Sequence, residues 1–388
     1  MRILKNILFV SFFLVLLWEQ LLYFFPTTYV TDLKGEFIAV EKPQLSLDTW
    51  LSGQFQEQFM KHYEQDLALH PLLIKLRNQT GYSLFNEINA AGIEKGKDNV
   101  LFDNGYIKTY MGEDFIGDQA IKRKVEMLAY VQAELKKRNI DLVFVMAPGK
   151  ASVLPEYIPG KYDLTKKTRS NYEAFSEEFV KQNINHLNIT KYFLERKATA
   201  PYPLFTKCGV HWSGYGATLA ADTTFKYLEK LRKINLPDFY DAGGEESFIP
   251  RSTDADIGEL TNLMVDIPSD KMYYPKIVFK TDTSKTKPNL LVIGDSFVWS
   301  WIGFYAYIPN LFNERSVFWY YNHETGWSAN GNGKVLTKDL SLKNETLSRD
   351  VIMIINTEAS LNNAGQFFIE QMFEMLNNEA QINANEAL

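Results

Sequence analysis

An apolar run from Leu290 to Ile293 leads into Gly294, Asp295 and Ser296, and Phe297 resumes the apolar character. A strand that ends in this way and passes into a helix presents a serine hydroxyl at the carboxyl edge of a parallel sheet, where α/β domains gather their ligands. Gly294 permits the tight turn. The Ser296 backbone N–H, near a helix start, suits a developing oxyanion. The same residues would also serve as a plain helix cap, because Asp and Ser are favoured there. A serine nucleophile needs a base. Of the five histidines, His211 is the best placed, in a loop before a helix and followed by Trp212 and Ser213. It could equally cap that helix or pack on Trp212. His62 and His70 fall in helical patterns, His186 reads as part of a short strand, and His323 is the rival. Lys150 follows the apolar run 141–147 and sits at the same predicted edge. It either holds an anionic or hydroxyl-rich substrate or is an ordinary loop lysine. Asn356 and Glu358 follow the last predicted strand and either line a pocket or cap the next turn.

The elements that must position these groups can be read from periodicity. Ile121, Val125, Leu128, Val131 and Leu135 share one face of a helix over 119–138. The continuous apolar run 141–147 has the length and character of a strand buried on both faces. A helix follows over 168–182, then a short strand at His186 and Leu187. A further helix over 213–232 carries Ala217, Ala221, Phe225 and Leu228 on its inner face. Strands are predicted at 289–293, 316–320 and 350–355, a helix from Phe297, and a closing helix at 364–378. This alternation predicts a layered α/β domain with a mostly parallel sheet and helices on both faces. Residues 233–288 show little periodicity and read as a loop-rich insertion. Before the main domain, residues 99–102 read as a strand with a turn at 103–105. Phe55, Phe59, Tyr63 and Leu67, four residues apart, mark an accessory helical region within 27–94, and residues 27–51 are mixed.

Composition narrows the partners. Net charge is −6, so no global positive field favours nucleic acid. A single cysteine, Cys208, excludes an intramolecular disulfide and a Cys-based zinc site; no metal and no cofactor are expected. The aromatic content of 14% serves core packing first and sugar stacking second. At the amino terminus, Arg2 and Lys5 precede an apolar stretch, with Pro26 placed to stop its helix. Residues 3–25 are just long enough to cross a bilayer. The bulky residues that follow lack the small-residue pattern of a cleavage site, which favours an uncleaved signal anchor over a cleaved signal peptide. Residues 1–26 are read as that segment and 95–388 as the main domain. The basic residues place the terminus in the cytoplasm and the bulk of the chain outside it.

Three segments together carry a resemblance: APGKASVLPEYIP at 147–159, CGVHWSGYGA at 208–217 and LLVIGDSF at 290–297. They resemble the SGNH-hydrolase-like O-acetyltransferases of the alginate acetylation type, the AlgJ/AlgX family, over roughly residues 95–375. The resemblance implies a flavodoxin-like α/β domain and a Ser-His-Asp site, with Ser296 as nucleophile and His211 as base. It further implies acetyl transfer to hydroxyls of an extracytoplasmic polysaccharide, and a multi-spanning membrane-bound O-acyltransferase partner that delivers the acetyl group. From their positions in the sequence, Gly294, Asp295, Lys150, Trp212, Asn356 and Glu358 are assigned to the oxyanion and substrate side. One position departs: the family pattern Asp-x-His-Trp has Gly209 where the aspartate belongs. Asp254, Asp256 and Glu259, in the stretch STDADIGEL, are the candidate replacements. An esterase using the same pair, or a non-catalytic polysaccharide-binding subunit, are the alternative readings.

Overall fold

The computed structural model describes residues 2–24, 33–35, 40–331 and 333–386. Internal contacts divide the chain into two units, Met1–Ile93 with Gly258–Ile267, and Glu94–Ile257 with Pro268–Leu388.

The first unit is helical. Helix α1 (Arg2–Phe24) exposes its apolar side chains from Ile3 to Trp18. Among the described residues, no helix is long and apolar enough to cross a membrane. Pro26, expected to end this helix, lies outside the described residues. Helix α2 (Gln54–Asp66) carries the predicted aromatic ladder, with Phe55 on Phe59 at 5.7 Å and Phe59 on Tyr63 at 6.0 Å. Leu67, the next position of the pattern, is extended and ends the helix. Helix α3 (His70–Phe85) is tied to the returning segment by Asn78, whose buried Nδ2 donates to the Thr261 carbonyl at 2.9 Å.

The second unit is an α/β layer structure. Its six-stranded sheet comprises β1 (Asp141–Ala147), β2 (His186–Asn188), β3 (Leu290–Gly294), β4 (Val317–Tyr320), β5 (Glu324–Ser328) and β6 (Val351–Thr357), in the order β5-β4-β3-β6-β1-β2. All neighbours are parallel except β4 and β5. Successive side chains of a strand face opposite layers, which explains the continuous apolar runs. Val143 and Val145 of β1, Val292 of β3 and Met353 of β6 pack with helix α6 (Gly214–Arg232) on one face. Leu142 and Phe144, Leu291 and Ile293, and Ile352 and Ile354 pack on the other. There they meet helices α4 (Asp118–Lys137), α5 (Asn171–Lys181) and α7 (Phe368–Glu386). Each such fully buried aliphatic side chain contributes about 1.5–3 kcal/mol.

The last strand, β6, is inserted between β3 and β1. Counted from β3 and wrapped round the chain ends, the five parallel strands lie in the 2-1-3-4-5 order of a flavodoxin-like sheet. The chain is therefore a cyclic permutation of that order. This is why the segment bearing His211 precedes Ser296 in sequence. The switch point falls between β3 and β6, and the crevice at their carboxyl ends is where such a sheet binds ligands.

Three predicted elements differ. Asp103, Asn104 and Gly105 do not close a turn. Asp103 instead caps the helix Asn104–Met111, its Oδ1 accepting from Gly105 N at 2.7 Å. Phe297 does not open a regular helix: a 3-10 turn (Ser296–Val298) runs into a π turn (Ser300–Phe304). The Ser300 hydroxyl donates to the Phe297 carbonyl at 2.7 Å and competes with the backbone ladder there. Within 233–288, Phe239–Asp241 pairs with Ile277–Phe279 and Glu245–Ser247 with Met272–Tyr274. These antiparallel pairs are three residues long, too short to show a period.

Candidate active site

Strand β3 delivers Ser296 to the carboxyl edge of the sheet. Gly294 is required there by close approach, since a Cβ would lie 2.8 Å from Val298 Cγ2 and 2.9 Å from the Ile355 carbonyl oxygen of β6. Asp295 is buried and accepts from Phe297 N at 3.2 Å, Thr357 N at 2.8 Å and the Ser360 hydroxyl at 3.1 Å. It fixes the serine turn to the end of β6. Burial raises its carboxyl above the ordinary range, against those hydrogen bonds.

His211 arrives from the segment before α6. Its Nε2 lies 2.8 Å from Ser296 Oγ, and its Nδ1 lies 2.5 Å from Asp256 Oδ2. The other oxygen of Asp256 accepts from Val210 N at 2.8 Å and from Ile257 N at 2.7 Å. The carboxylate is thus held on both sides. Hydroxyl, imidazole and carboxylate form one hydrogen-bonded line, the arrangement that activates a serine in acyl chemistry.

Gly209 explains why the acid comes from elsewhere. A Cβ at this position would sit 2.6 Å from the Thr253 carbonyl oxygen and 2.7 Å from Thr206 Oγ1. The space an aspartate would fill is taken by the very turn, Ser252–Ala255, that leads to Asp256. Thr206 fastens the two segments, donating to the Asp254 carbonyl at 2.6 Å and accepting from Gly209 N at 3.0 Å. The other two candidate acids are elsewhere. Glu259 belongs to the first unit and pairs with Lys34 at 3.8 Å. Asp254 is fully buried, and neither of its oxygens makes a well-formed hydrogen bond. Burial pushes its carboxyl up to about 7, with the Tyr274 hydroxyl and Gly214 N–H acting against the rise.

Several residues assigned from sequence to the substrate side are buried and hydrogen-bonded inside the fold. Lys150 is buried, and its Nζ donates to the carbonyls of Leu101 at 2.6 Å, Lys207 at 3.0 Å and Gly209 at 2.8 Å. Lys150 thus clamps the His211 segment from inside the fold. Burial lowers it to about 7, opposed by the charges of Cys208 and Asp256. Trp212 is buried, its indole N–H donating to Ser300 Oγ at 2.6 Å. Its ring stacks on Trp301 at 5.2 Å and meets Phe297 at 5.0 Å. The residue after the base and the residue after the serine therefore pack together, which holds the pair in register. Asn356 Oδ1 accepts from Gly365 N at 2.8 Å. Glu358 is buried and accepts from Thr190 Oγ1 at 2.7 Å and from the Ser152 hydroxyl. Burial raises its carboxyl. His323 occupies the turn after β4, where its backbone N–H donates to the Tyr320 carbonyl at 3.0 Å.

One neighbour went unread in the sequence. Tyr321 follows β4 with a positive φ of 51°, and its hydroxyl interacts with the Ser296 hydroxyl. Burial, then the Asp295 charge, raise that phenol. The only signal was its place at the end of the aromatic run Phe318 to Tyr321. Among the described residues, no cluster of His, Cys, Asp and Glu could hold a metal ion.

A family model described as the SGNH hydrolase-like domain of the acetyltransferase AlgX matches residues 93–317. The probable alginate O-acetylase AlgJ of Pseudomonas aeruginosa is 26% identical over 199 residues, 50% of this chain and 48% of that protein. Its namesake from Pseudomonas putida is 23% identical over 227 residues, 58% of this chain and 54% of that protein. The chain thus spans about half the length of the curated relatives it matches. Among solved structures, the O-acetyltransferase domain of P. putida AlgJ aligns with a TM-score of 0.46 at 15% identity, covering 73% of this chain and 99% of that one. P. aeruginosa AlgX aligns with a TM-score of 0.44 at 15% identity, covering 76% of this chain and 69% of that one. The family model takes in well over half of the 388 residues, and on that match the chain belongs to the SGNH hydrolase-like acetyltransferase family of AlgX type, with its α/β fold and mixed sheet.

Proposed function

We propose that the protein is an extracytoplasmic O-acetyltransferase that works through an acetyl-serine intermediate on polysaccharide hydroxyls. The observation that supports this most directly is the line Asp256–His211–Ser296, at 2.5 and 2.8 Å. Ser296 Oγ attacks the acetyl carbonyl while its proton passes to His211 Nε2. The tetrahedral oxyanion is received by the Ser296 backbone N–H. Collapse expels the leaving group with the proton from His211 and leaves acetyl-Ser296. A sugar hydroxyl then gives its proton to His211, attacks the acetyl carbon and releases Ser296, which recovers the proton. Asp256 fixes the imidazole tautomer and stabilises the imidazolium. An acid supplied from residue 256 in spite of Gly209 supports catalysis over an inert scaffold. Resolution by water in place of the sugar would make the same site an esterase, and exclusion of water separates the two.

The relatives are named alginate O-acetylases, which supports a polysaccharide acceptor. We assign the acetyl supply to a multi-spanning acyltransferase partner and anchoring to α1, where Arg2 and Lys5 precede exposed apolar side chains. Incubation with an activated acetyl ester should release acetate and add one acetyl mass to the peptide containing Ser296. Ser296→Ala should lose both. Equal acetate release by the two proteins would reject Ser296 as nucleophile.

A further inference from the structure

A cavity of about 660 Å³ lies in the second unit, lined by Asp98, Tyr157, Lys197, Tyr202, Lys207 and Asp270, among others. Its size is that of a small-molecule or oligosaccharide site. It is built on the catalytic segment. Leu204 to Lys207 form one wall, Phe205 bridges Trp212, and His211 stands four residues beyond Lys207. Four residues span at most about 14 Å, so Lys207 at the cavity wall and His211 lie within that distance of each other along the chain. Lys150 fixes this spacing by binding the carbonyls of Lys207 and Gly209.

The lining chemistry suits a sugar. Tyr202, at the cavity, stacks on Tyr273 at 4.7 Å with planes 13° apart, and Tyr215 meets it edge-on at 5.5 Å. Such a braced ring offers a rigid apolar surface to the C–H face of a pyranose at low entropic cost. Asp98 and Asn99 supply groups for hydroxyls. The charges select among sugars. Lys197 pairs with Glu156 at 2.5 Å and donates to the Val153 carbonyl at 2.7 Å, and Lys207 pairs with Asp270 at 3.1 Å. Both lysines are thus engaged, and Asp98 leaves the lining with a net negative charge. A polyuronate would bring carboxylates to this wall, whereas a neutral glycan would not.

We propose that this cavity binds the acceptor, and that the acceptor is a neutral glycan, not a polyuronate. The proposal rests on the acetyltransfer reading and names its acceptor class. The test is calorimetric titration of the full chain with neutral oligosaccharides (cello-oligosaccharide and N-acetylchito-oligosaccharide) and with oligomannuronate. A neutral oligosaccharide should bind at least tenfold more tightly than oligomannuronate. Tyr157→Ala and Tyr202→Ala should weaken that binding about tenfold, with an unchanged circular dichroism spectrum reporting that the variants are folded. Glu156→Gln, which frees Lys197, should raise oligomannuronate affinity about fivefold. Oligomannuronate binding as tight as the neutral glycans, no binding of a neutral glycan, or unchanged binding in both tyrosine variants would overturn the assignment. Ser296→Ala should bind the glycan like the wild type while losing ester hydrolysis, so failure of the cavity and failure of the acyl-enzyme reading are told apart.

Discussion

Asp256→Asn tests the site most sharply, because the structure dictates how the new amide must sit. Oδ1 of Asp256 accepts two backbone N–H groups, from Val210 and Ile257. Only the carbonyl oxygen of an asparagine can keep both bonds, so its NH2 is forced towards His211 Nδ1. That nitrogen must then accept, and the ring proton moves to Nε2, which faces Ser296 Oγ at 2.8 Å. An imidazole already protonated there cannot take the serine proton. Loss of tautomer control of this kind costs about 10⁴ in turnover, equivalent to about 5.5 kcal/mol of barrier. The assay is steady-state release of acetate from an activated ester, with circular dichroism to confirm folding. The loss should appear in kcat with KM little changed. Adding Gly209→Asp, which restores the family aspartate, should not recover activity, because its Cβ meets the Thr253 carbonyl oxygen at 2.6 Å. A folded Asp256→Asn protein that keeps more than a tenth of its activity would show that this carboxylate does not govern the histidine. Recovery in the double variant would show that the turn at 252–255 yields.

Other outcomes follow from buried charges. The Asp254 carboxyl, held at about 7 by burial from an ordinary 3.8, favours the folded state only while protonated. Its contribution is fully present below about pH 4 and is lost as pH rises to about 7, at most about 4 kcal/mol. Asp254→Asn should therefore melt higher than the wild type at pH 8 and no higher at pH 4, a pH dependence that thermal denaturation checks directly. Lys150→Met strands the carbonyls of Leu101, Lys207 and Gly209. At about 1–3 kcal/mol for each unsatisfied group, the variant should lose about 3 kcal/mol or more in denaturant titration, and an unchanged midpoint would remove its clamping role.

The sheet was legible because strands buried on both faces cannot hide: 142–147 and 290–293 are continuous apolar runs with no competing helical period. Ser296 and His211 were legible for a different reason, being reactive types placed where strands and helices hand over. The direction of a long polar side chain was not. Lys150 and Glu358 stand at the right edge of the sheet, yet both turn inward, because three carbonyls and two hydroxyls await them. The acid was narrowed only to three candidates, since which carboxylate reaches His211 depends on the φ of 51° at Ser252 and on the packing of Thr206. The turn after Ser296 was misjudged because Ser300 diverts the backbone, an effect that pattern alone does not report.

The stacked indoles of Trp212 and Trp301, braced against Phe297, give the molecule a built-in optical reporter. Both rings are shielded from solvent, and one is covalently next to the imidazole that gains and loses a proton in every cycle. Their emission should shift as the serine is loaded and unloaded, so stopped-flow fluorescence can time the two half-reactions separately, with no label attached.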